Sequence, residues 1–89
     1  MFTVYVLKSA SLGKRYVGST GDLPARLRQH NQGKVRATKG GRPWTIIYHE
    51  LFQTNVEARR RELSLKSGRG RAELDRILER RGSPPEADA

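Results

Sequence analysis

Eighty-nine residues allow one domain with one modest core, since a chain of this size buries only about 60% of the surface it exposes when unfolded. Eighteen Lys and Arg against nine Asp and Glu give a net charge of +9, which points to a nucleic-acid or anionic-membrane partner. With no cysteine, a disulfide frame, a zinc finger and a thiol nucleophile are all excluded.

The charge is unevenly placed. Residues 1–72 hold 15 basic and 4 acidic side chains, and residues 73–89 hold 3 and 5, so the positive field belongs to the body of the domain. Apolar runs fall far short of the ~20 residues that span a bilayer, and the N-terminus lacks a charged head followed by a long apolar segment. The basic residues are also not gathered on one long amphipathic helix, as a membrane-surface protein requires. The expectation is a cytoplasmic protein without a membrane partner. A single domain over 1–81 is expected to end in a disordered tail at 82–89, "GSPPEADA", rich in proline and acids.

In chain order, "FTVYVL" and "RYVGST" are rich in β-branched and aromatic residues, and "KSASLGK" between them has turn chemistry. They predict a hairpin of residues 2–8 and 14–19. A register pairing residues that sum to 21 would set Tyr5 opposite Tyr16, and a slip of one residue would put them on opposite faces. "GDLPARLRQHNQG" predicts a helix with Asp22 as N-cap, Pro24 in the first turn and Gly33 as the stop. Leu23 and Leu27 form its inward stripe, and Arg26 and His30, four apart, share a face.

Residues 34–43 predict a loop carrying Lys34, Arg36, Lys39 and Arg42, and "WTIIYHELF" at 44–52 a central strand. "TNVE" at 54–57 is a capping box opening a helix to about Lys66. Its thin apolar stripe is Ala58 and Leu65 with Val56 and Leu63, and Glu62 falls on the same face as Ala58 and Leu65. Gly68 and Gly70 interrupt the pattern. A short amphipathic helix follows, with Leu74, Ile77 and Leu78 inward and Gly82 ending it.

Taken singly, each polar or aromatic residue has an ordinary explanation. Strand tyrosines are most often core residues with a polar tip. Arg26 and His30 make one solvated helix face, Glu62 is a helical partner for Lys66, and Arg59-Arg60-Arg61 is a soluble surface.

Their order along the chain is more specific. "VYVL", then "YVG" with its tyrosine eleven residues after the first, then "ARLRQHN", then a glutamate in "EARRRELSLK" resembles the GIY-YIG endonuclease superfamily. "HNQGK", "PW" and "IYHELF", with Ala58, Glu62 and Lys66, are similar to its small stand-alone bacterial branch. The first motif, Thr3-Val4-Tyr5, lacks the glycine and isoleucine of the family's name, and Val17 replaces an isoleucine, but both hydroxyls are kept.

The resemblance implies an α/β (α+β) domain with a three-stranded antiparallel sheet flanked by helices, in the order β-β-α-β-α-α. It implies a metal-dependent endonuclease that hydrolyses DNA phosphodiester bonds, with Tyr5, Tyr16, Arg26, His30 and Glu62 as the catalytic set and Gly18 as the glycine that lets the chain turn. Glu62 would hold one Mg²⁺ or Mn²⁺, shared with a substrate phosphate to which Arg26 offers its planar fork. A tyrosine is the family's proposed general base. That role carries to Tyr16 with Tyr5 orienting it, though the two can exchange, and His30 bonds a tyrosine or shuttles the proton. A phenol of ordinary pKa near 10 is ionised about one part in a thousand at pH 7, so either tyrosine needs help from cationic neighbours.

Lys34, Arg36, Lys39, Arg42, Arg59, Arg60 and Lys66 are suited to phosphate contacts, which position a duplex without reading its bases. Structure-selective or nonspecific cleavage is therefore expected, and the family resemblance implies nicked, flapped or branched DNA as substrates and repair or recombination as the setting. A targeting protein partner would supply any further selectivity. The competing class is a non-catalytic DNA- or RNA-binding module with the same fold.

Overall fold

The computed structural model describes residues 1–82. The expected tail therefore lies outside the described residues, except for Gly82 at the end of the last helix. The elements run β1 (Phe2–Ser9), β2 (Arg15–Thr20), α1 (Leu23–Asn31), a 3-10 segment (Arg36–Gly41), β3 (Trp44–Phe52), α2 (Asn55–Lys66) and α3 (Gly68–Gly82). The β-β-α-β-α-α order expected from the sequence is the one observed.

The strands form one antiparallel sheet in the order β2-β1-β3. The apolar run at 44–52 is thus an edge strand, and β1 is central. Burial explains the exchange. Thr3 through Leu7 are all buried, so β1 is covered on both faces, whereas β3 leaves Thr45, His49 and Leu51 exposed. Val4 and Val6 face α2 and α3, in a core with Ala58, Leu65 and Leu74. Tyr5 and Leu7 face α1, in a second cluster with Trp44, Tyr16, Leu23 and Leu27. The period-2 alternation of a single strand supplies both cores.

The hairpin register pairs Tyr5 with Gly18 and Leu7 with Tyr16. Partners sum to 23, two more than the tyrosine-on-tyrosine pairing. A two-residue slip preserves faces, so the tyrosines stay on one side as diagonal neighbours, with ring centroids 6.5 Å apart. The pairing also corrects the reading of Gly18, which lies within β2 and makes no turn. A Cβ there would stand 2.5 Å from Tyr5 Oη and 2.6 Å from Cζ. The missing side chain is the space in which the Tyr5 phenol lies as it reaches toward the open β2 edge.

Caps fall where the sequence puts them. The Asp22 carboxylate accepts from the Ala25 amide at 3.1 Å, and Gly33 takes φ +79° after the last turn of α1. The Thr54 hydroxyl accepts from the Glu57 amide at 3.2 Å. Glu57 turns its carboxylate to that same hydroxyl, at 3.0 Å. Two details of the second half differ from expectation. Val56 and Leu63 point to solvent, 60% and 61% exposed, because Ala58, Glu62 and Leu65 take the inner face of α2. Gly68 and Gly70 belong to α3. A Cβ on Gly70 would come within 2.6 Å of Leu65 Cα, so the glycine lets the first turn of α3 press on the backbone of α2.

Arg61 fastens β3, α2 and α3 together. It donates to Glu50 through Nε at 2.8 Å and Nη2 at 3.0 Å, and to Glu73 through Nη1 at 3.2 Å and Nη2 at 3.0 Å. Of the Arg59-Arg60-Arg61 triplet, Arg61 alone turns inward to this tie, while Arg59 and Arg60 are exposed.

Candidate functional site

On the α1 face the sheet and helix bring two tyrosines, a histidine and an arginine together. His30 is fully buried, and its ring lies 5.7 Å from Tyr5 and 5.2 Å from Tyr16 between centroids. Its Nε2 is 2.8 Å from Tyr5 Oη and its Nδ1 is 2.7 Å from Thr38 Oγ1. The Thr38 hydroxyl donates to the Val35 carbonyl at 3.3 Å. Two proton arrangements satisfy these contacts: with the proton on Nδ1, His30 donates to Thr38 and accepts from Tyr5 at Nε2, and with the proton on Nε2 both bonds reverse.

Electrostatics set the charge of the ring in either arrangement. The His30 pKa is lowered, first by burial and then by the positive charge of Arg26, so the imidazole is neutral at pH 7. Burial pushes the Tyr5 phenol up, Tyr16 and Glu62 add to this, and the Arg26 guanidinium opposes it. Arg26 itself spends one N–H on Gln29 Oε1 at 2.9 Å and has others left for a ligand. Tyr16 is half-buried, and no hydrogen bond holds its hydroxyl among the described residues.

The loop after α1 is pinned by Trp44, whose indole donates to the Thr38 carbonyl at 2.7 Å. Asn31 in turn bonds both backbone groups of Trp44, accepting from N at 2.7 Å and donating to O at 3.1 Å. These bonds hold Thr38 against His30.

Glu62 arrives from the other side of the sheet. Ser19 pairs with Val4, so it faces α2, and its hydroxyl donates to Glu62 Oε1 at 2.6 Å. Lys66 Nζ donates to Oε2 at 2.8 Å and lies 5.8 Å from the centre of the Tyr16 ring. Because β2 is an edge strand, the carboxylate and the phenols approach one another around that edge. Burial of Glu62 would raise its pKa, but hydrogen bonds from Lys66 and Ser19, with the charges of Lys66 and Arg59, bring it below the ordinary value. The carboxylate is ionised at neutral pH.

Among the described residues no group of three or more His, Cys, Asp or Glu side chains gathers to hold a metal. A cation at this site would have one carboxylate from the protein and would take its other ligands from water and substrate oxygens. Magnesium accepts that donor set. The Lys66 ammonium on Oε2 marks a position where positive charge is already balanced.

Lys34, Arg36, Lys39, Arg42, Arg59 and Arg60 are exposed. Arg42 is steadied by a bond to the Lys39 carbonyl at 3.0 Å. Sequence reasoning missed Ser19, Thr38 and, of the cations beside Tyr16, all but Lys66. Lys14, Arg15, Lys66 and Arg71 border a cleft of about 650 Å³ floored by Tyr16, Val17, Leu65 and Leu74. Ser19 has a signal, since it alternates with Gly18 in "YVGST" and must face the other helix layer. Thr38, in a loop, has none.

No helix of the described residues is long and apolar enough to cross a membrane. A family model described as the GIY-YIG catalytic domain matches residues 1–74. A UPF0213 protein of Bacillus pumilus is 45% identical over 64 residues, which are 71% of this chain and 64% of that protein, just under two thirds of its length. A UPF0213 protein of Staphylococcus aureus is 36% identical over 78 residues, 86% of this chain and 94% of the relative. The solution NMR structure of the UPF0213 protein of Bacillus halodurans superimposes with a TM-score of 0.53 at 31% identity, covering 86% of this chain and 85% of that one.

Proposed function

The chain belongs to the GIY-YIG family, whose members are nucleases, and from that premise we propose that it is a divalent-metal-dependent endonuclease hydrolysing DNA phosphodiester bonds. The observation that carries this reading is the series Tyr5–His30–Thr38, in which a phenol is bonded to a neutral, buried imidazole that a hydroxyl holds from behind. The reading takes the tautomer in which Nδ1 carries the proton and Nε2 accepts from Tyr5.

That series offers a proton route that an isolated tyrosine lacks. A water molecule gives a proton to the Tyr5 oxygen while the Tyr5 proton passes to the bare His30 Nε2, so no free phenolate has to form. The hydroxide attacks phosphorus, the bond to the 3′ oxygen breaks, and that oxygen takes a proton from solvent. The imidazolium left on His30 returns its proton to solvent by the same path. Of the two assignments open for the tyrosines, this network favours Tyr5 as the relay, with the unbonded Tyr16 hydroxyl orienting the water. Arg26 receives the phosphate in its planar fork. A divalent ion on Glu62 would supply charge compensation at phosphorus and at the leaving oxygen.

Lys34, Arg36, Lys39, Arg42, Arg59 and Arg60 would contact phosphates, giving structure-selective or nonspecific action on nicked, flapped or branched duplexes. Repair or recombination is the corresponding setting, in the cytoplasm, with a targeting protein partner as the source of further selectivity. The test is nicking of branched DNA by the purified protein with Mg²⁺ or Mn²⁺. Cleavage is expected with either ion and should fall by at least about 10²-fold in Glu62→Gln. Binding without cleavage under every metal would make the protein a non-catalytic nucleic-acid module, and cleavage unchanged in Glu62→Gln would remove the metal site from the reading.

A further inference from the structure

The proton route makes no use of Lys66, yet this lysine occupies the carboxylate on which the metal chemistry depends. Both oxygens of Glu62 are taken, Oε1 by Ser19 and Oε2 by Lys66. The two partners differ in freedom. Ser19 is a short side chain fixed in β2. Lys66, one turn beyond Glu62 on α2, has four rotatable bonds, and its side chain is 43% exposed against 10% for Glu62. The ammonium therefore reaches the carboxylate from the solvent side, the side from which an ion in solution would approach.

Lys66 also borders the basic cleft, together with Lys14, Arg15 and Arg71. Arg15 is partly neutralised by Asp75 at 2.7 Å. In the protein free of nucleic acid, an ammonium turning into this cleft meets like charge on Lys14 and Arg71, so the contact with Glu62 is favoured. A phosphate in the cleft reverses the preference by giving the ammonium an anion there and leaving Oε2 open.

We propose that Lys66 is a positioning residue that holds the metal's place on Glu62 Oε2 in the free protein and yields it to a divalent cation when a nucleic-acid phosphate enters the adjacent basic cleft. The proposal rests on the metal-at-Glu62 part of the nuclease reading. Metal and phosphate then bind with positive coupling, which is reciprocal by thermodynamic necessity. The free protein holds its ion weakly and does not carry a loaded site away from DNA.

The test titrates the full-length protein with Mn²⁺ without DNA, reading free ion by electron paramagnetic resonance, in wild type, Lys66→Met, Lys66→Arg and Lys66→Met/Glu62→Gln. Lys66→Met should bind Mn²⁺ about tenfold more tightly than wild type. Lys66→Arg, which keeps a cation on Oε2, should stay near wild type, and the double variant should lose the gain. In EDTA, where no cleavage interferes, the salt dependence of DNA binding should be shallower by about one in Lys66→Met, because the ammonium moves to a phosphate on binding. Lys66→Met with no gain in Mn²⁺ affinity, or with an unchanged salt slope, overturns the proposal. If cleavage is present and that gain is missing, the gate falls and the nuclease reading stands. A gain abolished by Glu62→Gln in a protein that never cleaves leaves the gate standing and removes the nuclease.

Discussion

The two faces of the sheet are built on opposite principles from alternate residues of one strand. On the α2–α3 face, Val4 and Val6 meet Ala58, Leu65 and Leu74, a cluster held by apolar burial, which has no preferred direction. On the α1 face, beside the apolar cluster of Leu7, Leu23 and Leu27, Tyr5 is hydrogen-bonded to His30, His30 to Thr38, and Thr38 to the Trp44 indole. Neither face leaves a buried side-chain N or O without a partner among the described residues. The first face supplies stability and tolerates volume-conserving change, while the second fixes where a hydroxyl is held and tolerates little.

Breaking the aliphatic face should have the largest effect on stability. Leu74, 1% exposed, joins α3 to the core, and Leu74→Ala should cost about 2–5 kcal/mol in urea unfolding. The ring-proton NMR shifts of His30 in the molecules that remain folded should be unchanged. Movement of those shifts would show that the faces are coupled through β1.

Disturbing the directed face should cost less stability and more chemistry. In Gly18→Ala the new Cβ enters the space of the Tyr5 phenol, at about 1–3 kcal/mol for overpacking. Displacing the hydroxyl should lower cleavage by about 10²-fold. Gly21→Ala is the control, since its Cβ would meet Phe2 Cε1 at an ordinary 3.6 Å. Equal losses in the two variants would mean that glycine matters for the backbone of this region and not for the room it leaves Tyr5.

Acid should separate the faces most gently. His30 is buried neutral with its pKa lowered, so the unfolded chain binds a proton more readily than the folded one. Its contribution to stability is complete above the ordinary value of about 6.5 and declines as pH falls below that toward the lowered folded value. Cleavage by the folded protein should be lost at the lower end of that descent, as pH reaches the lowered folded value, because a protonated Nε2 cannot accept from Tyr5. Histidine NMR titration against pH-dependent melting checks this, and a His30 titrating above about 6.5 would contradict the neutral imidazole on which the relay depends.

Much of this architecture was legible in particular residues. Asp22, Pro24 and Gly33 bracket α1, Thr54 opens α2, and Tyr5, Tyr16, Arg26, His30 and Glu62 stand out by order and spacing. The caps and helix bounds follow from signals that act within a few positions, and the five candidate residues from the order of motifs along the chain. Errors arose where two distant segments compete for the same role. "WTIIYHELF" reads as the central strand and "FTVYVL" as one strand of a hairpin, and only the helices laid on each face decide that β1 is the one covered twice. Val56 and Leu63 looked inward by composition, but the single inner face of α2 admits Ala58, Glu62 and Leu65.

The sequence by itself determined the elements and the net charge, because these follow from local propensity, capping and composition, while the candidate reactive side chains came from the resemblance in motif order. Tertiary structure decided the hairpin register, and with it the discovery that Gly18 is a space for Tyr5 rather than a turn. It also decided the bonding of Tyr5 and Thr38 to the two nitrogens of His30, and the pairing of Lys66 with the candidate metal carboxylate. These depend on hydrogen bonds and ion pairs between segments remote in the chain, whose geometry no local pattern encodes.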